Sequence, residues 1–441
     1  MIYIIKNEIP LLIINELHAV FFYSVIRSSR QKSRLEAFRS ALFAFNTKDL
    51  NLCRSFFAKQ KDSCIFATTT YQFTNASSMD YADIKTILQS FTMEGSVAEI
   101  KALGNGLIND TYKITTAEEG PDYVLQRINN AVFTDVDLLQ HNIEVVTDHI
   151  RRKLMEQNED DIDRKVLRFV RTKDGKTYTQ DERQQYWRLA VFIPRSVTME
   201  AVTPESSRFA GQAFGRFEAM LTDVPETLGE TIPDFHNMGF RLQQLREAVE
   251  ADKRGRVAEV RPLLDEIEAH ADEMCFAERL HQAGKLPKRL CHCDTKVNNM
   301  LFDEDGNVLC VIDLDTVMPS YVFSDFGDFM RTAANFTTEE DPEPGHVGFN
   351  MDIYKAFTDG YLQSAGVFLT EEETNHLPLA AAMFPFMQAV RFLADYLNGD
   401  TYYKIKYPEH NLNRAKNQLR LFEDVMRKLP EMNDYLQELR K

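Results

Sequence analysis

The stretch from His292 to Asp315 constrains this chain more than any other. His292-Cys293-Asp294-Thr295-Lys296-Val297-Asn298-Asn299 runs into two short apolar segments, Met300 to Phe302 and Val308 to Ile312, with the turn Asp303-Glu304-Asp305-Gly306-Asn307 between them. The second segment ends on Asp313-Leu314-Asp315. Two short apolar runs around a Gly-containing turn read as a hairpin, which reverses the chain. It brings Asp313 back toward Asp294, which lies 19 positions earlier. The fold must therefore carry a polar loop and a tight hairpin whose ends can meet.

The flanks tell what surrounds this hairpin. Upstream, Val97 to Ile100, Thr111 to Thr115 and Tyr123 to Ile128 are short β-branched or apolar runs broken by Gly, Pro and Asn, as in successive hairpins. Val136, Leu139, Ile143, Val146, Ile150 and Leu154 then recur at three- and four-residue steps, which predicts an amphipathic helix. Two further strands are expected at Val166 to Arg171 and Tyr186 to Ile193, with Pro194 ending the second. From about Ser196 the period turns helical. Helices are expected over Glu205 to Leu221, Arg241 to Glu250, Arg256 to Gln282, Met351 to Ser364, Glu371 to Leu397 and Asn413 to Leu429. The first of them is led by Thr203-Pro204, a cap and first-turn pair. The fold class expected is α+β and bilobal, with a small β-rich N-lobe at 79–195 and a large helical C-lobe at 196–441. The cleft between such lobes is where a ligand is expected.

Charge and composition narrow the partners. Of 441 residues, 51 are Lys or Arg and 67 Asp or Glu, a net charge of -16 that repels nucleic acid and anionic membrane surfaces. Six cysteines are too few for a disulfide framework, so the compartment reads as reducing and cytoplasmic. The total hides a seam. Residues 1–78 carry ten Lys or Arg against five Asp or Glu and no glycine, whereas all 18 glycines lie at Gly95 or beyond. Their apolar run from Ile9 to Ile26 is broken by Glu16 and His18, which argues against a membrane anchor. This stretch reads as a foreign, poorly ordered extension or as sequence upstream of a natural start at Met79.

Phosphoryl transfer from ATP needs a carboxylate to orient the attacking hydroxyl and oxygen ligands to hold Mg²⁺ on the phosphates. His-x-Asp with an Asn five residues after the Asp supplies the first and part of the second, and the Asp at the hairpin end completes the set. The alternative is a loop whose Asp and Asn side chains only make turn hydrogen bonds. Cys291 and Cys293 flank His292, but zinc wants about four ligands. Both are expected to be core cysteines.

These motifs resemble the aminoglycoside phosphotransferase-like, protein-kinase-like family, and within it the N-acetylhexosamine 1-kinases. The likeness spans 79–441 and is densest at Leu290–Thr332 and Arg391–Asn411. It implies ATP- and Mg²⁺-dependent phosphorylation of the anomeric hydroxyl of a small-molecule sugar, N-acetylglucosamine or N-acetylgalactosamine. It implies Asp294 as catalytic base, His292 as a brace of its loop, and Asn299 and Asp313 as Mg²⁺ ligands. Asp325-Phe326-Gly327 spells a kinase metal motif but does not sit at a hairpin end, so Asp325 and Asp328 are expected to be supporting or helix-capping acids. Gly104-Asn105-Gly106, continuing to Asn109 and Thr111, resembles the family's phosphate loop with Asn105 in place of one glycine; the same residues would also suit an ordinary hairpin turn. The strand cation that meets phosphate in the family falls here on Arg127, one residue after Gln126 and on the opposite strand face. Arg127 could equally pair with Glu144 or lie on the surface. Backbone around Phe192–Pro194 is expected to meet adenine, and Thr295, Asp315, Arg391 and Tyr402 or Tyr403 to meet the sugar. Arg391 lies mid-helix among apolar residues and needs a partner, either ligand or internal carboxylate. Other readings are a kinase of the same fold acting on homoserine, choline, methylthioribose or an aminoglycoside, or a non-catalytic nucleotide-binding module.

A chain beginning at Met79 is expected to match the full-length protein in melting temperature and kinase activity. Calorimetry and an ADP-release assay on both forms check this, and a many-degree loss on truncation would make the extension a working part of the enzyme.

Overall fold

The computed structural model describes residues 81–103, 109–199 and 202–441. The expectations for residues 1–78, Gly104 and Gly106 lie outside them. A five-stranded antiparallel sheet in the order β1-β2-β3-β5-β4 forms the small lobe. Its strands are β1 (Val97–Ala102), β2 (Asp110–Thr116), β3 (Tyr123–Ile128), β4 (Tyr178–Gln180) and β5 (Tyr186–Val191). Helix α1 (Tyr81–Leu88) covers one face. There Ile84, Ile87, Leu88 and Phe91 bury against Ile100, Ile114, Tyr123, Leu125, Trp187 and Leu189. Period two puts the alternate residues, Gln126 and Arg188 among them, on the other face.

Helix α2 (Val136–Glu156) follows, with Asp135 accepting from the Leu138 N–H as its cap. Its apolar stripe of Val136, Leu139, Ile143, Val146, Ile150 and Leu154 packs on Phe217, Leu221, Leu314 and Val317, which belong to the helical lobe. This amphipathic helix thus ties sheet to C-lobe. After a short turn, α3 (Ile162–Lys165), the expected strand at Val166–Arg171 does not form. Only single bridges mark the stretch and its edge, Phe169 with Ala190 and Thr172 with Phe91. The edge strand is β4 instead.

The C-lobe is built from α4 (Pro204–Leu221), α5 (Met238–Ala251), α6 (Arg261–Met274), α7 (Phe276–Gln282), α8 (Phe323–Ala333), α9 (Met351–Ala365), α10 (Glu371–Asn398) and α11 (His410–Leu439). The single helix expected over Arg256 to Gln282 is two. Pro262 in its first turn starts α6 late, and a break at Cys275 separates α7. Helix α10 is long and apolar enough to cross a membrane, yet 83% of its most apolar window is buried inside the lobe. Pro378 and Pro385 lie within it.

Helices α4 and α9 approach closely because glycines line their crossing. A Cβ at Gly360 would overlap the Arg208 carbonyl oxygen, and one at Gly211 the Phe357 carbonyl oxygen. Backbone atoms cannot yield as a side-chain tip can. Gly360→Ala is therefore expected to cost about 3 kcal/mol through overpacking, read as a lower urea midpoint at unchanged m-value.

Candidate active site

Two small ladders set the site. Strand β6 (Arg289–Cys291) pairs with β9 (Met318–Ser320), and β7 (Met300–Phe302) with β8 (Val308–Val311). The loop 292–299 leaves β6, and β8 ends at Ile312 and Asp313. The Ile312 N–H donates to the Asn299 carbonyl at 2.9 Å, closing the hairpin, and the Ile312 carbonyl lies 2.8 Å from His292 Nε2. His292 Nδ1 accepts from the Asp294 N–H at 3.2 Å, and Asn299 Nδ2 donates to the Asp294 carbonyl at 2.8 Å. Since Nδ1 accepts, Nε2 carries the proton that Ile312 receives. A ring of four residues thus brings His292, Asp294 and Asn299 together beside Asp313.

Beneath the loop lies α8. Both Asp325 oxygens accept consecutive amides, from His292 and Cys293, each at 2.7 Å. Cys293 adopts φ +62°, a left-handed turn that side chains rarely take. Asp328 accepts the next amide but one, Thr295 N–H at 3.2 Å, and pairs with Arg331 at 2.9 Å. Burial pushes the Asp325 carboxyl up, against the pull of His292 and the two amides. Glu218 beside it is pushed well up by burial and by Asp325, and receives the Tyr361 hydroxyl at 2.5 Å. Glu218, Cys291 and Asp325 bring donor atoms within 4.8 Å of one another. Asp325 has spent both oxygens on amides, so this cluster supports the loop. Cys291 and Cys293 pack with Met318 in a small apolar cluster.

Asp294 keeps its side chain 21% exposed, with Lys296 Nζ 2.9 Å from one oxygen and 3.0 Å from the other. Burial would raise its carboxyl, but the Lys296 ammonium outweighs it and holds the group below the ordinary aspartate value. Asp313 has φ +60° and reaches solvent, yet the protein closing around its carboxyl and the neighbouring Asp315 and Asp294 carboxylates push it up to about 6. Crowded anions of this kind suit a hard divalent cation with oxygen ligands, and Asn299 keeps its side-chain oxygen for one while its nitrogen donates to Asp294.

Other expected contacts are rearranged. Arg127 is ion-paired to Asp110 and bonds Gln185 at 2.9 Å, on the face away from Gln126, so it is spent within the small lobe. It does not pair with Glu144, which holds Thr177 and Arg171. Asp315 does not stand open to a sugar: Arg188 Nη1 lies 2.5 Å from its Oδ1, and Asn109 Nδ2 donates to its Oδ2 at 2.7 Å. Asn109 is committed at both ends, since its Oδ1 accepts from the Asn129 N–H. Thr111 Oγ1 accepts weakly from Gln126 Nε2 at 3.4 Å. The Thr295 hydroxyl is fully buried and donates to the Asp325 carbonyl, which turns it from the cleft. The Phe192 N–H donates to the Asp122 carbonyl, so that amide is not free for adenine.

Arg391 bonds Gln388 at 3.1 Å and lies over the rings of Phe235 and Tyr403 at 5.2 and 5.7 Å. Among the described residues it forms no ion pair with a carboxylate. Tyr403 is the tyrosine beside it, while the adjoining Tyr402 is 60% exposed. Asp395 anchors their loop by accepting the amides of Thr401, Tyr402 and Tyr403 at 2.9 to 3.0 Å. His236 stacks on Phe235 at 4.3 Å and is pushed well down by burial and by Arg391 and Arg241. Sequence reasoning missed three charged residues here, Lys296, Arg188 and Arg241. Only Lys296, two positions after Asp294, gave a local signal.

A twisted sheet lobe, a helical lobe and a hairpin-borne acid pair between them define a phosphotransferase of kinase-like fold. Residues 99–363 match the phosphotransferase enzyme family APH, and the chain belongs to that family of small-molecule phosphotransferases. Among solved structures, an aminoglycoside phosphotransferase from Alicyclobacillus acidocaldarius superposes with TM-score 0.54 at 14% identity, covering 80% of this chain and 96% of its own. A choline/ethanolamine kinase family protein from Mesorhizobium loti gives TM-score 0.46 at 16% identity, covering 81% and 98%. An ethanolamine kinase from Plasmodium vivax gives 0.45 at 13%, covering 73% and 82%. At 14% identity the first of these likenesses is one of fold.

Asp325→Asn leaves one acceptor oxygen for two loop amides. It is expected to cost about 2 kcal/mol of stability and to lower turnover on the order of 10²-fold by displacing Asp294. Urea unfolding and steady-state kinetics check this, and unchanged turnover would remove Asp325 from the loop's support.

Proposed function

We propose that the chain transfers the γ-phosphoryl group of Mg²⁺·ATP to the anomeric C1 hydroxyl of an N-acetylhexosamine, N-acetylglucosamine or N-acetylgalactosamine, releasing ADP and the sugar 1-phosphate. One observation carries the choice of acceptor. Two arginines, Arg391 and Arg241, lie near His236, which also senses Asp294, and neither has a carboxylate ion-pair partner among the described residues. Burial and the proximity of Arg391 pull the Arg241 guanidinium down to about 10. A wall of this sign repels choline, ethanolamine or an aminoglycoside and suits a neutral sugar whose hydroxyl and carbonyl oxygens accept hydrogen bonds. Phe235 and Tyr403 offer rings for the sugar's apolar face.

Asp294 accepts the C1 hydroxyl as a hydrogen-bond donor, points its oxygen at the phosphorus and takes its proton as the new P–O bond forms. Being held ionised by Lys296, it is ready to accept at neutral pH. His292 keeps the loop in register with Ile312. Asn299 and Asp313 would hold Mg²⁺, which would supply positive charge to the transferring phosphates.

The test offers the protein Mg²⁺·ATP with free N-acetylhexosamines, choline, homoserine, methylthioribose and an aminoglycoside. ADP release with loss of the sugar's reducing end is expected only with the hexosamines, and turnover of a cationic acceptor instead would overturn the reading. Asp294→Asn is expected to lower turnover by about 10³-fold or more while ADP affinity stays within a few-fold. More than a tenth of wild-type turnover would strip Asp294 of the role.

A further inference from the structure

We propose that Arg188 is the side chain of the small lobe that meets the nucleotide's β-phosphate, with the cation placed on β5 where β3 carries an uncharged glutamine. This rests on the ATP reading above. Register sets Arg188 directly opposite Gln126 in the β3–β5 ladder, and its Nε donates to the Gln126 side-chain oxygen at 3.0 Å. The two therefore share the sheet face opposite the α1-covered core. Arg188 is 2% exposed and reaches Asp315, two residues beyond Asp313.

The pairing with Asp315 is incomplete. Nη1 and Oδ1 lie 2.5 Å apart but out of line, and each is a buried polar atom without a hydrogen bond. A buried guanidinium normally fills its fork with in-line acceptors. One arm here awaits an oxygen.

Charge balance points the same way. Asp313 and Asp315 stand at the hairpin end, beside the loop that carries Asp294. A polyphosphate entering beside three carboxylates needs cations besides one metal ion. Lys296 is held by Asp294, Arg127 by Asp110, and Lys113 by Asp122 at 3.1 Å. Of these four described cations, Arg188 is the one that keeps a donor without an in-line acceptor, and its planar fork suits a phosphate oxygen.

Removing one member of a buried pair strands the other, whereas neutralising both is often tolerated. The test therefore compares wild type with the double variant Arg188→Gln/Asp315→Asn, by calorimetry with AMP and ADP in the presence of a metal chelator. Wild type is expected to bind ADP more tightly than AMP. The double variant is expected to keep AMP affinity within a few-fold and to lose about tenfold or more of the ADP advantage. An ADP advantage retained in the folded double variant, or an equal loss for AMP and ADP, overturns the assignment. A double variant that fails to fold makes the pair a structural bridge and likewise overturns it. A wild type that binds neither nucleotide defeats the ATP reading itself.

Discussion

Two oxygens of one carboxylate hold this active site in shape. Asp325 sits in the first turn of α8 and takes the amides of His292 and Cys293. Cys293, the second of the two donors, itself adopts the left-handed conformation. That turn aims the next residue, Asp294, out of the core. Charge-assisted bonds to amides are strong enough to offset a strained residue, for which the cost is about 1–3 kcal/mol. The neighbouring Glu218 carboxyl, pushed up by burial, adds no second negative charge while it keeps its proton.

Much of this was legible in the sequence, for identifiable reasons. Helices α2, α4, α9 and α10 announced themselves through apolar period, and α4 also through its Thr203 cap. The hairpin was legible because its turn is dense in Asp, Asn and Gly. The Val166–Arg171 stretch was misleading: its β-branched and apolar residues suit a strand, but its backbone finds only single bridges. The site shows the same division. Asp294, Asn299 and Asp313 lie on one loop and hairpin, so local spacing predicts that they gather. Arg188 lies on a strand that reads as plain core, and its meaning comes from sitting across from Gln126, a register that linear sequence does not contain. Thr295 and Asp315 looked open because they lie beside Asp294 and Asp313, yet the Thr295 hydroxyl turns to the Asp325 carbonyl and Asp315 turns toward Asn109 and Arg188.

The two lobes meet through unlike materials. Helix α2 joins them by apolar packing on Phe217, Leu314 and Val317, which is indifferent to small rotations. Asn109 and Arg188 join them through Asp315, where direction matters. Packing thus keeps the lobes together while the polar contact sets their angle. On the far side of the loop, Arg391, Tyr403 and Asp395 belong wholly to the helical lobe. Those three residues therefore move as one piece with Asp294.

Helix α10 carries a consequence for how the protein is made. Its most apolar window is covered in the finished lobe by α8 before it in sequence and α11 after it. A ribosome delivers α10 before α11 exists, so a long greasy segment waits in water until the chain as far as Leu439 has emerged. Translation at roughly 5–20 residues per second leaves that segment uncovered for several seconds. The helical lobe completes its core only once α11 has left the exit tunnel.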